Sequence, residues 1–112
     1  MPLPQPLPVE IDVGSLDAAR RAGETLTVLD VREPHEWGIC GFADALRIPL
    51  GELGARWGEL PREQPLVVVC RSGARSMSAT RFLRAQGLAN ATNLRGGVLA
   101  WAQTIDPTWQ TY

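Results

Sequence analysis

Leu66-Val67-Val68-Val69-Cys70-Arg71-Ser72-Gly73-Ala74-Arg75-Ser76 is the stretch that decides the fold of this chain. Its first four residues form an apolar, mostly β-branched run. A strand buried on both faces needs such a run, as in a parallel sheet lying under helices. The residues after the cysteine enter a helical pattern from Ala74 to Gln86. Ala79, Phe82, Leu83 and Gln86 fall on one stripe, and Gly87 stands as the stop. A cysteine at the carboxyl end of a buried strand, just before a helix, sits where open α/β sheets place their ligands. Turned toward the loop, its sulfur meets several main-chain N–H groups, with the positive end of the helix dipole behind them. Arg71 and Arg75 add charge. The expected site is an electropositive bowl that holds an anion on sulfur.

The pattern on either side extends this reading. Val9-Glu10-Ile11 reads as a short strand, followed by a helix capped by Ser15 or Asp17 that reaches about Ala22 and stops at Gly23. Leu26 to Val31 is a second strand, and Pro34 suits the first turn of a short helix through Trp37. Leu46 to Pro49 reads as a third strand, with a helix from Glu52 to Leu60 behind it. Ala91 to Leu94 is a fifth strand after Leu66 to Val69, and Gly96-Gly97 opens a last helix carrying Trp101. Strands alternating with helices predict a parallel α/β sheet with right-handed crossovers. Asp30, Cys70 and Arg95 then share one carboxyl edge.

With 112 residues the chain is long enough for one unstapled core. The expected domain covers residues 9–105, with an extended, polyproline-like arm over residues 1–8 and a C-terminal tail over residues 106–112 that carries no motif. A net charge of −1 supplies no basic field, so a nucleic-acid partner is not expected. No stretch is long enough to span a membrane. Two cysteines are too few for a disulfide framework and no secretory pattern precedes them, which points to a reducing cytoplasm. Neither a cofactor nor a metal ion is expected.

Four segments together resemble the single-domain rhodaneses, sulfurtransferases that carry sulfur as a cysteine persulfide. They are Leu29-Asp30-Val31-Arg32-Glu33-Pro34-His35-Glu36, Ile48-Pro49-Leu50, the Cys70–Ser76 loop, and Asn93-Leu94-Arg95-Gly96-Gly97 with Trp101. Their order and spacing agree over residues 9–103. The resemblance implies a five-stranded, mainly parallel sheet flanked by helices on both faces. It also implies two half-reactions, in which the Cys70 thiolate takes the outer sulfur of thiosulfate and then yields it to cyanide, a thiol or a protein. The chain departs from the family between the second and third strands. Cys40-Gly41-Phe42-Ala43-Asp44-Ala45 stands where Gly-His-Ile-Pro-Gly-Ala is common.

Within that frame Cys70 is the nucleophile, and Arg71, Ser72, Gly73, Ala74, Arg75 and Ser76 form the substrate-binding loop. Gly73 allows a bend that a side chain would block, and the two guanidinium groups suit a sulfonate. Arg75 has an alternative use, tying the loop to Asp30 or Glu33. Asp30 and Arg32 are read as structural support of the crevice edge. Cys40 is a packing residue, with a resolving role against Cys70 as the alternative. His35 sits on an exposed helix turn, and Trp57 and Trp109 are candidates for a partner surface. Two other functions fit the loop less well or equally. One is a protein-to-protein persulfide relay with little use for thiosulfate. The other is a phosphatase of the same fold, disfavoured because the loop closes at Arg75 and position 76 is serine.

Overall fold

The computed structural model describes residues 3–112. Five strands form one sheet in the order β1-β5-β4-β2-β3, every pair parallel: β1 Glu10–Ile11, β2 Thr27–Asp30, β3 Leu46–Arg47, β4 Leu66–Val69 and β5 Ala91–Leu94. Register places Asp30 beside Val69 and Val68 beside Asn93, so the carboxyl ends of the three central strands lie side by side. All four residues of β4 are fully buried, which is why its sequence shows no alternation.

The helices are α1 Val13–Arg21, α2 Pro34–Trp37, α3 Leu50–Arg56, α4 Ala74–Ala85 and α5 Gly97–Thr104, with a single 3-10 turn at Trp57–Glu59. Alternate β4 residues feed two cores. Val67 and Val69 pack with Leu16 and Ala19 of α1 and Trp101 of α5, while Leu66, Val68 and Cys70 pack with Leu53 of α3 and Ala79 and Leu83 of α4. Helices therefore cover both faces. Each fully buried aliphatic side chain contributes about 1.5–3 kcal/mol, so this double cover is the main source of stability.

Several boundaries differ from the pattern. Helix α1 is capped by neither Ser15 nor Asp17. Asp12 is extended at the N-cap, and its carboxylate accepts the Ser15 N–H at 2.8 Å. Helix α3 starts earlier than Glu52 because Pro49 fixes the backbone just ahead of it. The arm packs on the domain. Leu3 and Leu7 are buried in the core beside α1, and the Gln5–Pro6 peptide is cis. The part of the arm reading that falls on residues 1 and 2 lies outside the described residues. At the departure after β2, Phe42 enters the core, 4.8 Å from Trp101. No described residue other than glycine has a positive φ, so the turn at Asp44 closes without one.

Candidate active site

Cys70 leaves β4 with its side chain on the α3–α4 face and only 1% of its surface exposed. Its sulfur lies 3.0 Å from the Gly73 N–H and 3.3 Å from the Ser76 hydroxyl oxygen. The loop curls because Gly73, at the N-cap of α4, takes φ 106°, the left-handed region that suits glycine. A second support comes from α5. The Val98 N–H donates to the Cys70 carbonyl at 3.0 Å and the Leu99 N–H to the Arg71 carbonyl at 3.1 Å. Only glycine fits at position 97, where a β-carbon would stand 2.4 Å from the Cys70 carbonyl oxygen. Ser76 is oriented in turn, its hydroxyl 2.5 Å from Asn93 Oδ1 on β5.

Burial is the largest single influence on the Cys70 thiol and pushes its pKa up. The Ser76 hydroxyl and the main-chain amides of Ser76, Gly73 and Ser72 together outweigh it, and the thiol ends below its ordinary value. A pre-formed ring of donors around a sulfur stabilises the thiolate, and it would stabilise a persulfide anion in the same way.

The loop arginines are placed differently from the sequence expectation. Arg75 does not face a vacant bowl, nor does it bind Asp30 or Glu33. It grips Glu36 with two hydrogen bonds, Nη1 to Oε1 at 2.7 Å and Nη2 to Oε2 at 2.8 Å. Glu36 also accepts the Glu33 N–H at 3.0 Å and the Tyr112 hydroxyl at 2.6 Å. Arg75 beside it is the chief reason its carboxyl is held down at about 2. Arg71 is engaged too. Its Nε donates to the Tyr112 main-chain oxygen at 2.5 Å, and its guanidinium lies 5.3 Å from the centre of the Tyr112 ring.

Asp30 and Arg32 make a fully buried ion pair behind this wall, with Nε 3.0 Å from Oδ1 and Nη2 2.7 Å from Oδ2. Arg32 also donates to the carbonyls of Glu36 at 3.3 Å and Cys40 at 2.7 Å and to the Tyr112 hydroxyl at 2.8 Å. Burial alone would lower its pKa, but these partners raise it above the ordinary arginine value. Arg95 turns away from the crevice to pair with Glu10 at 3.0 Å. His35 is exposed and Cys40 half-buried. Trp109 is half-buried, its ring 5.1 Å from Phe42 and packed against the α1–α5 core; Trp57 packs partly against the α3–α4 core.

Three contributors escaped the sequence reading. Glu36 carried a signal, since a glutamate three residues after an N-cap and two after a proline at the first helical position marks a capping box. Gly97 was legible as a helix start but not as the seat of the cysteine loop. Tyr112 had no signal at all. Among the described residues no group of three acidic, histidine or cysteine side chains stands close enough to hold a metal ion.

Beside this cysteine, cradled at the carboxyl edge of a five-stranded parallel sheet, stands a family match: the model of the rhodanese-like domain covers residues 12–104. The chain belongs to the rhodanese-like domain family. It is 39% identical over 94 residues to a sulfurtransferase from Allochromatium vinosum, covering 84% of this chain and 88% of that protein. It is 33% identical over 93 residues to the probable adenylyltransferase/sulfurtransferase MoeZ of Mycobacterium tuberculosis, covering 81% of this chain but 24% of that longer protein. The crystal structure of a rhodanese-related protein from Thermoplasma volcanium superposes with a TM-score of 0.77 at 36% identity, over 84% of this chain and 90% of that one.

Proposed function

We propose that this chain is a thiosulfate sulfurtransferase in which Cys70 carries sulfane sulfur as a persulfide. Sulfurtransferase relatives support sulfur transfer in general. The observation that carries the finer reading is the sulfur of Cys70 set among the Gly73, Ser72 and Ser76 donors, its ionisation favoured despite near-complete burial.

The chemistry is nucleophilic covalent catalysis. The Cys70 thiol first loses its proton to solvent. A hydroxyl has one proton to give, so in the thiol form Ser76 gives it to Asn93. As the thiolate forms, the hydroxyl turns toward sulfur. The thiolate attacks the outer sulfur of thiosulfate, the sulfur–sulfur bond of the donor breaks, and sulfite leaves with the bonding pair. The loop amides then hold the persulfide anion until a thiol, a protein thiol or cyanide takes the terminal sulfur and Cys70 is a thiolate again. Arg71, at the mouth of the loop, is assigned to the sulfonate. Arg75, tied to Glu36, holds the wall of the site. Asp30 and Arg32 support that wall from behind. The cytoplasm is the compartment we assign. Among the described residues no helix is long and apolar enough to cross a membrane.

Incubation with thiosulfate alone, removal of excess, and intact-mass measurement tests this reading. One added sulfur atom on the native chain and none on Cys70→Ser is the expected result. A native chain that gains no sulfur would remove thiosulfate as donor. A relay that takes persulfide from a donor protein is the second reading. It is favoured by one specific feature, the occupation of Arg71 by Tyr112.

A further inference from the structure

The segment after α5 has an anchored part and a latched part. The Ile105 and Asp106 N–H groups both donate to the Trp101 carbonyl, at 2.8 and 2.9 Å, and Trp109 packs edge-on against Phe42. That half belongs to the core. Gln110 and Thr111 then run exposed to the half-buried Tyr112, which lies against Arg71 of the cysteine loop and against Arg32 and Glu36 of the wall. Its main-chain oxygen takes the Arg71 Nε, its ring lies under the Arg71 and Arg32 guanidinium groups, and its hydroxyl bridges Arg32 and Glu36. Burial first, and the Glu36 carboxylate second, push the Tyr112 hydroxyl up to about 12, so it stays a donor throughout the neutral range. Cys70, next to Arg71 in the loop that Tyr112 holds, has 1% of its surface exposed.

We propose that residues 106–112 form a strap that shuts the Cys70 crevice, Tyr112 being the latch that occupies Arg71 and Glu36. An anionic sulfur donor must displace it to reach Arg71. The proposal rests on the sulfurtransferase reading for its biological meaning, but not for its geometry. Arg71 is half-buried and the latch contacts are polar. Such contacts are individually modest, so the latch opens without unfolding the domain behind it. Trp109 stays seated, and the two exposed residues before Tyr112 supply the hinge. A site that is open in only a fraction of molecules binds more weakly by that fraction. The strap thus slows a neutral small molecule by the closed fraction, while a donor able to compete for Arg71 shifts the latch open.

Alkylation of Cys70 by iodoacetamide tests the strap without any sulfur chemistry. It is run on the full chain, on Tyr112→Ala and on Tyr112→Phe, with peptide mass separating Cys70 from Cys40. Rates taken across pH separate access, read from the plateau, from thiol ionisation, read from the midpoint. A latch closed nine-tenths of the time predicts a plateau about tenfold higher in Tyr112→Ala. Tyr112→Phe keeps the ring and main-chain oxygen and should rise only a few-fold. Equal plateaus in all three proteins, or a lower one in Tyr112→Ala, overturn the strap. A raised plateau in a variant that still takes no sulfur from thiosulfate leaves the strap standing and removes the thiosulfate reading instead.

Discussion

The cysteine loop and the charged wall beside it are built on opposite plans. The loop is local: Cys70 to Ser76 are consecutive, and the sulfur's nearest donors lie three and six residues away. The wall is not local. Asp30 ends β2, Arg32 follows it, Glu36 rides on α2, Arg75 opens α4, and Tyr112 arrives from beyond α5. In the loop, charge is stabilised by neutral dipoles aimed at one atom. In the wall, Arg32 and Arg75 are matched against two carboxylates and a tyrosine, which also takes Arg71 of the loop. The contrast separates two tasks that a motif alone merges. Arginine next to a reactive cysteine looks like activation, yet here the amides and Ser76 lead in lowering the thiol pKa and Arg75 is bound to Glu36.

The sharpest way to break the comparison is to remove one residue from each region. Cys70→Ser should reduce sulfur transfer to background in a thiosulfate:cyanide assay while its urea midpoint stays close to native. Arg32→Ala should do the reverse. Removing one partner of a buried ion pair leaves an uncompensated charge and costs about 3–5 kcal/mol, a large share of the 5–15 kcal/mol that holds typical domains together. Asp30 would be that stranded charge. An Arg32→Ala chain with a native urea midpoint would show that the wall does not hold the fold.

Gly97→Ala probes the loop through its support. The new β-carbon meets the Cys70 and Arg71 carbonyls and must adopt φ 58°. Strain of this kind costs about 1–3 kcal/mol, and here it displaces the cysteine carbonyl itself. A lower melting temperature together with slower Cys70 alkylation is expected. Loss of stability with unchanged alkylation would mean α5 does not position the loop. Ser76→Ala acts on the sulfur directly. It removes one of the groups that lower the thiol pKa, so the midpoint of the alkylation–pH curve should move up; the buried Asn93 Oδ1 loses its donor, which costs about 1–3 kcal/mol and lowers the melting temperature as well.

These regions also differ in how much of them could be read beforehand. The β4 run, the helix after it and the parallel sheet were legible because a doubly covered strand and an α4 stripe leave strong one-dimensional patterns. Cys70, Gly73 and Ser76 were legible for the same reason, since a loop closing on itself is written in consecutive letters. Arg75's partner was not. Asp30, Glu33 and Glu36 all lie within six residues of the β2 end, and only packing selects Glu36. Tyr112 is separated from Arg32 by 80 positions, and no periodicity or spacing rule reaches that far. The packing of Trp109 was hidden for a related reason. A tryptophan in a stretch without periodicity gives no sign that Phe42, 67 positions earlier, half-buries it.

The smallest expected effect is electrostatic, and it belongs to the wall alone. Glu36 is held at about 2 in the folded protein, against an ordinary value of 4.5, chiefly by Arg75. A carboxylate whose folded pKa is depressed adds stability that is complete above its unfolded value. That stability disappears as pH falls toward the folded one. The window is therefore about pH 4.5 down to about 2. Because the Arg75 side chain is 36% exposed, solvent screens the pair, and the slope across the window should be shallow. Urea midpoints taken at steps from pH 6 to pH 3 should fall for the native chain and fall less for Arg75→Met, in which Glu36 has lost its main partner. Identical slopes in the two proteins would mean that other carboxylates carry the acid sensitivity. Glu36 would then be tied to the fold through Tyr112 and the Glu33 amide rather than through Arg75.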